Sequence, residues 1–179
     1  VHGYPLRLIV PGWVGSASIK WLHTITALDV PFKGNYMDAS YRVPRWPIEP
    51  GQKMPADTAS AEAWPVKSII TSPAPLQRFR TSGRITVRGR AWVGEGSVDR
   101  VEVSTDEGKT WRRAELARAG DKYAWRTFTY EHRAERPGYL TLLARAWDDR
   151  GNVQPAVPHW NPLGYFWNGW HRVGVLVEA

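Results

Sequence analysis

The amino-acid sequence predicts a mainly β protein, and three observations point to that fold class. Apolar and polar residues alternate over most of the second half of the chain, as they do in half-buried strands. Glycine and proline account for 16 and 14 of the 179 residues, which indicates many turns. Tryptophan, which is enriched in strands, occurs 11 times. No apolar stripe with the helical period is long enough to predict a substantial helix.

The first 65 residues carry the weaker pattern. Pro5–Val10 is predicted to be a strand that ends at the Pro11-Gly12 turn, and Ile19–Thr26 is predicted to be a second strand. Between residues 41 and 65, five prolines interrupt every period, so we predict an extended connector there. This part is too small and irregular for a core of its own. We therefore expect it to be the end of a larger domain that begins upstream.

The regular alternation begins near Val66 and continues to the end of the chain. Turns are predicted at Asp106–Gly108 and Asp148–Asn152. The predicted strands lie near Arg84–Val93, Val101–Ser104, Trp125–Thr129, Tyr139–Trp147 and Val173–Glu178. Short strands at this spacing predict an immunoglobulin-like antiparallel β-sandwich over residues 66–179, preceded by a separate region over residues 1–65.

Composition excludes several classes of protein and site. The chain has no cysteine, so it cannot carry a disulfide, a thiol nucleophile, an iron–sulfur cluster or a cysteine-ligated zinc. Its apolar runs are far shorter than the ~20 residues that cross a bilayer, so we expect no membrane partner. The net charge of +7 is spread along the chain, which favours a solvated basic surface over a nucleic-acid partner. A small anionic ligand fits such a diffuse positive field equally well.

Cationic side chains cluster around the first predicted turn. His2 and Arg7 lie on either side of Pro5, and Lys20 follows a glycine-containing turn. Turn amides together with arginine and lysine can hold a phosphate or another oxyanion. From the spacing alone, a β-hairpin with exposed cations explains the cluster as well.

A series of short motifs resembles the sulfite oxidase family of molybdenum enzymes, and it runs in order along nearly the whole chain. The matching segments are His2–Arg7, Val10–Gly15, Lys20–Leu22, Pro65–Ile70, Gly89–Trp92, Val101–Ser104, Thr110–Trp111, Trp125–Arg126, Ala146–Asp149, Asn152–Pro155, Trp160–Asn161 and Trp170–Val173. The resemblance implies that residues 1–65 are the C-terminal portion of a molybdopterin-binding α+β domain. It implies that residues 66–179 are the immunoglobulin-like molybdenum-cofactor (Mo-co) dimerisation domain.

The same resemblance implies roles for individual residues. In the family, the matching positions contact molybdopterin, hold its phosphate end or place a tyrosine beside the substrate oxyanion. The residues implied are His2 and Arg7 for the first role, Ser18, Ile19 and Lys20 for the second, and Tyr41 for the third. A phenol at Tyr41 fits its role because it can donate a hydrogen bond to an oxyanion without adding a full charge.

The function implied is oxygen-atom transfer to a sulfur substrate, with electrons passed to a c-type cytochrome or haem. The expected cofactor is molybdenum–molybdopterin, and a homodimer is expected through residues 66–179. Bacterial relatives are often exported, which implies a periplasmic location. The family ligates molybdenum through a cysteine upstream of the position that His2 matches, and this chain has no cysteine. We therefore expect the chain to be inactive alone and to contribute pterin contacts and the dimer interface.

One position departs from the family pattern. After Trp160-Asn161, Leu163 stands where sulfite oxidases have a substrate-pocket arginine. Losing that cation argues against free sulfite and allows a neutral or carrier-bound sulfur substrate, as in the sulfane dehydrogenase relatives. Trp170 and His171, which are aromatic residues near a terminal strand, are interpreted as structural.

Two hypotheses of a different class remain open. The chain could be a non-catalytic β-sandwich that dimerises or binds a partner. It could also bind carbohydrate, provided that several tryptophans share one exposed face.

The segment Ser104–Trp111 fits the Asp-box hairpin, a folding device, so Ser104, Asp106 and Trp111 are interpreted as structural. Asp148-Asp149 is interpreted as a turn, because the other ligands of a calcium loop are absent.

Overall fold

The structure, a computed structural model, describes residues 2–179 and divides the chain into two units. The first comprises Val1–Trp64 and Pro158–Trp167, and the second comprises Pro65–Val157 and Asn168–Ala179. The predicted division into 1–65 and 66–179 did not include the return of Pro158–Trp167 to the first unit. Aromatic contacts to Tyr41 and Trp64 hold this segment there. None of the helices in the described residues is long and apolar enough to span a bilayer.

The first unit contains little regular structure. It has a 3₁₀ turn at Gly15–Ala17, a short helix α1 at Asn35–Asp38, and two strands, β1 at Arg42–Pro44 and β2 at Thr58–Ser60. Strands β1 and β2 pair antiparallel. The extended connector predicted over residues 41–65 therefore contains one short pair of strands.

The two strands predicted near the start of the chain are also absent. Their segments do approach each other, but they share one isolated bridge, between Arg7 and Lys20. Two backbone hydrogen bonds flank it, from Leu8 N to Ile19 O (2.9 Å) and from Leu22 N to Leu6 O (3.0 Å). The ladder ends there because Trp21 adopts a left-handed backbone (φ +51°), which a continuous strand cannot contain.

The second unit is the predicted sandwich, with nine strands in two sheets. Their bounds are β3 Lys67–Ser72, β4 Arg78–Arg80, β5 Arg84–Trp92, β6 Val98–Ser104, β7 Arg112–Arg113, β8 Glu115–Leu116, β9 Arg126–Arg133, β10 Gly138–Asp148 and β11 His171–Glu178. One sheet has the order β4-β11-β10-β6-β7 and the other β3-β5-β9-β8. The pairings are antiparallel except for β4 and β11, which run parallel. The fold class is confirmed.

The core lies between these sheets and follows the alternation in the sequence. On β5, Ile85, Val87 and Ala91 are fully buried, and the residues between them face outward. Gly89 occupies the remaining inward position, between Val87 and Ala91, where a Cβ atom would collide with the ring of Phe128 on the neighbouring strand. The period of two therefore specifies both the strand and the face that it buries.

A buried amide ties the sandwich together at one end. Gln154 is fully buried, and its Oε1 accepts hydrogen bonds from Ser68 N (2.8 Å) and Ala146 N (3.1 Å). Its Nε2 donates to Gly169 O (2.6 Å). One side chain thus joins β3, β10 and the segment that leads into β11. This satisfies backbone groups that would otherwise be buried without partners.

The Asp-box hairpin between β6 and β7 has the predicted structural role. The Asp106 carboxylate accepts hydrogen bonds from Thr110 N (2.9 Å), Thr110 Oγ1 (2.6 Å) and Ser104 Oγ (2.7 Å). These bonds lower the pKa of Asp106 to about 2. Trp111 donates from Nε1 to Gly108 O (3.0 Å) and closes the loop. The side chains of Ser104, Asp106 and Trp111 therefore serve the turn.

The two terminal aromatics are structural as well. Trp170 donates from Nε1 to Gln154 O (2.9 Å), and its ring packs edge-on against Trp111. The Nδ1 atom of His171 accepts a hydrogen bond from Ile70 N (3.1 Å), and burial lowers the pKa of His171. Both residues fasten the start of β11 to its surroundings.

Candidate functional site

Most of the residues assigned to the cofactor lie together in the first unit. The Arg7–Lys20 bridge places these two cations opposite each other. Arg7 donates from Nε to the carbonyl of Ser18 (3.3 Å), and Ser18 Oγ accepts a hydrogen bond from Val10 N (3.3 Å). The 3₁₀ turn Gly15–Ala17 leads directly into this segment. Local backbone pairing therefore brings three of the six predicted residues into one cluster.

Gly3 makes the close packing of this cluster possible. It is buried and has a left-handed backbone (φ +101°). A Cβ atom there would lie 3.2 Å from both the Arg7 and the Lys20 Cβ atoms, which is tighter than ordinary contact. The bare backbone of Gly3 thus fills the space between the two cations. His2 adjoins it in the chain and is exposed, as are Arg7 and Lys20.

The arrangement is suited to an anion. The terminal guanidinium nitrogens of Arg7 hold no hydrogen bond within residues 2–179, since the Nε atom alone is engaged. Lys20 is exposed and lies 6.0 Å from the centre of the Trp21 ring. Two exposed cations fixed by backbone pairing can contact one phosphate or carboxylate from two sides. We refer to His2, Arg7, Ser18 and Lys20 as the cationic cluster.

Tyr41 occupies an unusual backbone conformation. Its φ angle is +51°, which a residue with a side chain adopts only when the surroundings impose it. Its carbonyl accepts a hydrogen bond from Ala61 N (2.7 Å). Its ring stacks on Tyr165, with ring centres 5.5 Å apart, and lies 6.1 Å from the ring of Tyr36. The phenol ring is therefore held in place by aromatic neighbours.

Arg42 is a residue of this region that the sequence did not single out. Its guanidinium donates to Thr58 Oγ1 (3.0 Å), Thr58 O (2.8 Å), Ser60 Oγ (3.0 Å) and Met37 O (3.2 Å). These bonds join β1, β2 and the end of α1 next to Tyr41. Such a set of hydrogen bonds cannot be predicted from the sequence, because the partners of Arg42 are ordinary serine, threonine and backbone groups.

A cleft of about 370 Å³ connects the two parts of the site within the first unit. Ile19, from the segment beside the cationic cluster, and Tyr41 both line it. The remaining lining residues are mainly apolar or small, namely Trp13, Ser16, Ala17, Tyr36, Met37, Ser60, Ala61 and Glu62. The predicted pterin-phosphate segment and the predicted active-site tyrosine thus meet at one largely apolar cavity.

Leu163, which stands where sulfite oxidases have an arginine, also lies in the first unit, within Pro158–Trp167. Leu163 is exposed in a turn that is closed by hydrogen bonds from Gly164 N to Asn161 O (2.8 Å) and from Leu163 N to Asn161 Oδ1 (2.9 Å). Two residues further on, Tyr165 stacks on Tyr41. The structure therefore brings this part of the chain to the tyrosine, although about 120 residues separate them in sequence.

The tryptophans of the sandwich do not form an exposed binding face. Within Pro65–Val157 and Asn168–Ala179, Trp125 is the one tryptophan with a largely exposed side chain. It stacks on half-buried Trp92, with ring centres 4.5 Å apart. Trp147 is covered by the guanidinium of Arg100, 4.0 Å from its ring centre. The sandwich therefore lacks the face that the carbohydrate hypothesis required.

Comparison with known proteins supplies the family context. The family model for the Mo-co oxidoreductase dimerisation domain matches residues 58–178, and that for the oxidoreductase molybdopterin binding domain matches residues 1–36. Human mitochondrial sulfite oxidase is 36% identical over 188 residues, covering 99% of this chain and 34% of its own length. Spinach nitrate reductase [NADH] is 34% identical over 196 residues, covering 96% and 20%.

A solved structure agrees with these matches. The sulfane dehydrogenase SoxCD from Paracoccus pantotrophus superimposes with a TM-score of 0.79 at 30% sequence identity, covering 99% of this chain and 47% of that one. The chain spans about a third or less of the length of the curated relatives given above.

Proposed function

Since the chain belongs to the sulfite oxidase family of molybdenum oxidoreductases and contains the Mo-co dimerisation domain, we propose that it serves a complete enzyme that transfers an oxygen atom to a sulfur substrate. In that enzyme it contributes pterin contacts and a dimer interface. The observation that carries the proposal is the cleft at which Ile19, beside the cationic cluster, meets Tyr41. It supports a site in which the side next to Ile19 binds an anionic cofactor and the side at Tyr41 faces the substrate.

The residues present fit the organic part of the cofactor and not its metal. Exposed Arg7 and Lys20, packed on the bare backbone of Gly3, can hold a phosphate, with His2 beside them. The chain has no cysteine to supply a thiolate. When bound, the molybdenum–molybdopterin group supplies oxygen-atom transfer and two-electron redox chemistry. The chain's own contribution is to fix the position of the anionic end of the pterin.

We assign Tyr41 to orient the substrate. Its phenol O–H can donate a hydrogen bond to an oxygen atom of the substrate, and the mostly apolar walls of the cleft strengthen such a bond by lowering the local dielectric. Stacking on Tyr165 limits the movement of the ring, so the donor is held in place before the substrate arrives. The proton stays on the phenol throughout, since the role requires donation of a hydrogen bond and no transfer.

For the substrate, we propose a sulfur compound that is neutral at the end bound here or attached to a carrier. Leu163 provides no cation for free sulfite, and its segment reaches Tyr41 through Tyr165. The similarity to a sulfane dehydrogenase supports the same substrate class. We further propose that the complete enzyme passes its electrons to a cytochrome and pairs as a homodimer through residues 66–179.

The second candidate is a non-catalytic dimerisation or partner-binding module. The observation that favours it is the lack of any cysteine. A module of this kind needs neither the cationic cluster nor the oriented phenol of Tyr41. Substitutions at these positions therefore distinguish the two candidates.

Substitution of Tyr41 tests the proposed function in the complete enzyme. We expect Tyr41→Phe to lower kcat/KM for the sulfur substrate by about tenfold to a hundredfold, because the hydrogen bond to the substrate oxygen is lost while the ring stack remains. Steady-state kinetics checks this. Tyr36→Phe is the matched control, since Tyr36 lines the same cleft, and it should retain the wild-type value. An unchanged kcat/KM for Tyr41→Phe would refute the role of Tyr41.

A further inference from the structure

The outer face of the sheet β3-β5-β9-β8 carries a row of arginines. Alternate residues of β5 point into the core, which leaves Arg84, Arg88 and Arg90 exposed on the other side. Arg133 of β9 lies directly opposite Arg84. These four residues are called the basic face. Thr129 and Thr127 lie opposite Arg88 and Arg90, and Thr86 lies between Arg84 and Arg88 on the same face of β5, so the side chains between the guanidinium groups are short.

The positive charge of the basic face is largely uncompensated. Among the residues that the structure describes, one of its four arginines forms an ion pair, Arg84 with Glu131 at 3.8 Å. Arg90 donates instead to the hydroxyl of Thr127. The two arginines placed opposite each other repel, which disfavours the folded state. Folding alone therefore gives no reason for this arrangement of charge.

Several arginines of the other sheet of the sandwich form close ion pairs with carboxylates. On β10, Arg145 donates from Nε to the carboxylate of Glu102 on β6 (2.7 Å). On β11, Arg172 donates to Glu107 (2.6 Å). Each of these cations has a carboxylate within its own unit. Compensation by carboxylates is therefore available in this fold, although Arg112 and Arg113 on β7 of the same sheet form no ion pair within residues 2–179. On the basic face, one ion pair serves four arginines.

An aromatic pair lies at one end of the basic face. Trp92 is the last residue of β5 and pairs with Lys67 of β3. Its ring is stacked against Trp125, with ring centres 4.5 Å apart and planes 13° from parallel. The Trp125 side chain is 57% exposed. Tryptophan beside arginine is the composition enriched at the centres of protein interfaces.

We propose that the basic face is a docking surface for a protein partner with an acidic surface. Charge complementarity supports this, because carboxylates of a partner could pair with the three arginines of the basic face that form no ion pair within residues 2–179. A second copy fits less well, since a two-fold dimer through this face would set the row of arginines against itself. Any homodimer is therefore expected to use another surface of the sandwich.

The carboxylates on this face favour a protein over a nucleic acid. Glu131 is paired opposite Thr86, and Glu115 of β8 is paired opposite Thr129, so both lie on the same side of the sheet as the arginines. A continuous phosphate backbone that followed the arginines would meet these two negative charges. The discrete carboxylates of a protein can avoid them. The proposal does not depend on the proposed function, because its test measures binding alone.

The test uses fluorescein-labelled poly-L-glutamate of about 20 residues as the acidic probe, titrated with the complete protein at about 50 mM NaCl. The test variant is Arg88→Gln/Arg90→Gln/Arg133→Gln. The matched control is Arg112→Gln/Arg113→Gln/Arg136→Gln, which removes the same charge from exposed positions outside the basic face. Circular dichroism verifies that both variants are folded. We expect Kd to rise at least about tenfold in the test variant and less than about twofold in the control.

Three results would overturn the proposal. An equal loss of affinity in both variants would show that the probe responds to net charge alone. Tighter binding of an oligothymidylate of about 20 nucleotides through the same three arginines would assign the face to nucleic acid. Dissociation of a dimer by the test variant and not by the control, measured by sedimentation, would assign it to a second copy of the chain.

Discussion

At the scale of single residues, the site depends on side chains that restrain their neighbours. Arg42 makes four hydrogen bonds to β2 and to the end of α1, and the next residue toward the N-terminus is Tyr41, with its left-handed backbone. The backbone strain at Tyr41 is tolerated because the surroundings determine the conformation. We therefore regard Arg42 as a positioning residue for the phenol.

Arg42→Lys tests that assignment in the complete enzyme. Lysine keeps the charge but cannot reproduce the forked set of hydrogen bonds, so we expect kcat/KM to fall by about tenfold. The same substitution made in the Tyr41→Phe background should have little further effect, because the group that Arg42 positions is already gone. A loss of equal size in both backgrounds would show that Arg42 acts only on general stability.

Arg45→Lys is the control for this measurement. Arg45 lies just beyond β1 and pairs with Asp57 at 3.0 Å, where both side chains are more than half exposed. An exposed ion pair contributes little, so this variant should keep the wild-type kcat/KM.

At the scale of elements, the sandwich strands follow from the sequence and the first unit largely does not. Strand β5 alternates strictly between buried and exposed residues, and that pattern can be read without a structure. Strands β1 and β2 are short, and their segment is broken by prolines. The side chain of Arg42 on β1 helps to hold the two strands together, because it donates hydrogen bonds to Thr58 and Ser60 on β2. The predicted strands at Pro5–Val10 and Ile19–Thr26 failed because one left-handed residue, Trp21, interrupts the pairing.

Gln154, a single buried polar residue, stabilises one end of the sandwich through its hydrogen bonds. Gln154→Leu would leave Ser68 N, Ala146 N and Gly169 O buried without their partner. Each such group costs about 1–3 kcal/mol, so we expect the free energy of unfolding to fall by at least about 3 kcal/mol. Urea denaturation followed by tryptophan fluorescence measures this. Exposed Gln77→Leu, the control, should change the value by less than about 0.5 kcal/mol. Equal effects in the two variants would contradict the role of Gln154.

At the scale of the whole molecule, the organisation into two units depends on contacts between distant residues. Pro158–Trp167 returns to the first unit through the stack of Tyr165 on Tyr41 and the contact of Phe166 with Trp64. Pairs of this kind have no period in the sequence, which is why a single cut near residue 65 was predicted. The residues of the cationic cluster were assigned by resemblance, because their spacing alone is equally compatible with an ordinary hairpin.

We propose that this chain holds the anionic end of the pterin, so the pterin content of the complete enzyme is the first quantity to measure. We expect Arg7→Gln/Lys20→Gln to lower the ratio of bound pterin to protein at least about fivefold, because both charge-assisted contacts are lost. Arg112→Gln/Arg113→Gln, which removes the same charge from β7, should retain the wild-type ratio. Wild-type pterin content in both variants would show that Arg7 and Lys20 do not hold the pterin.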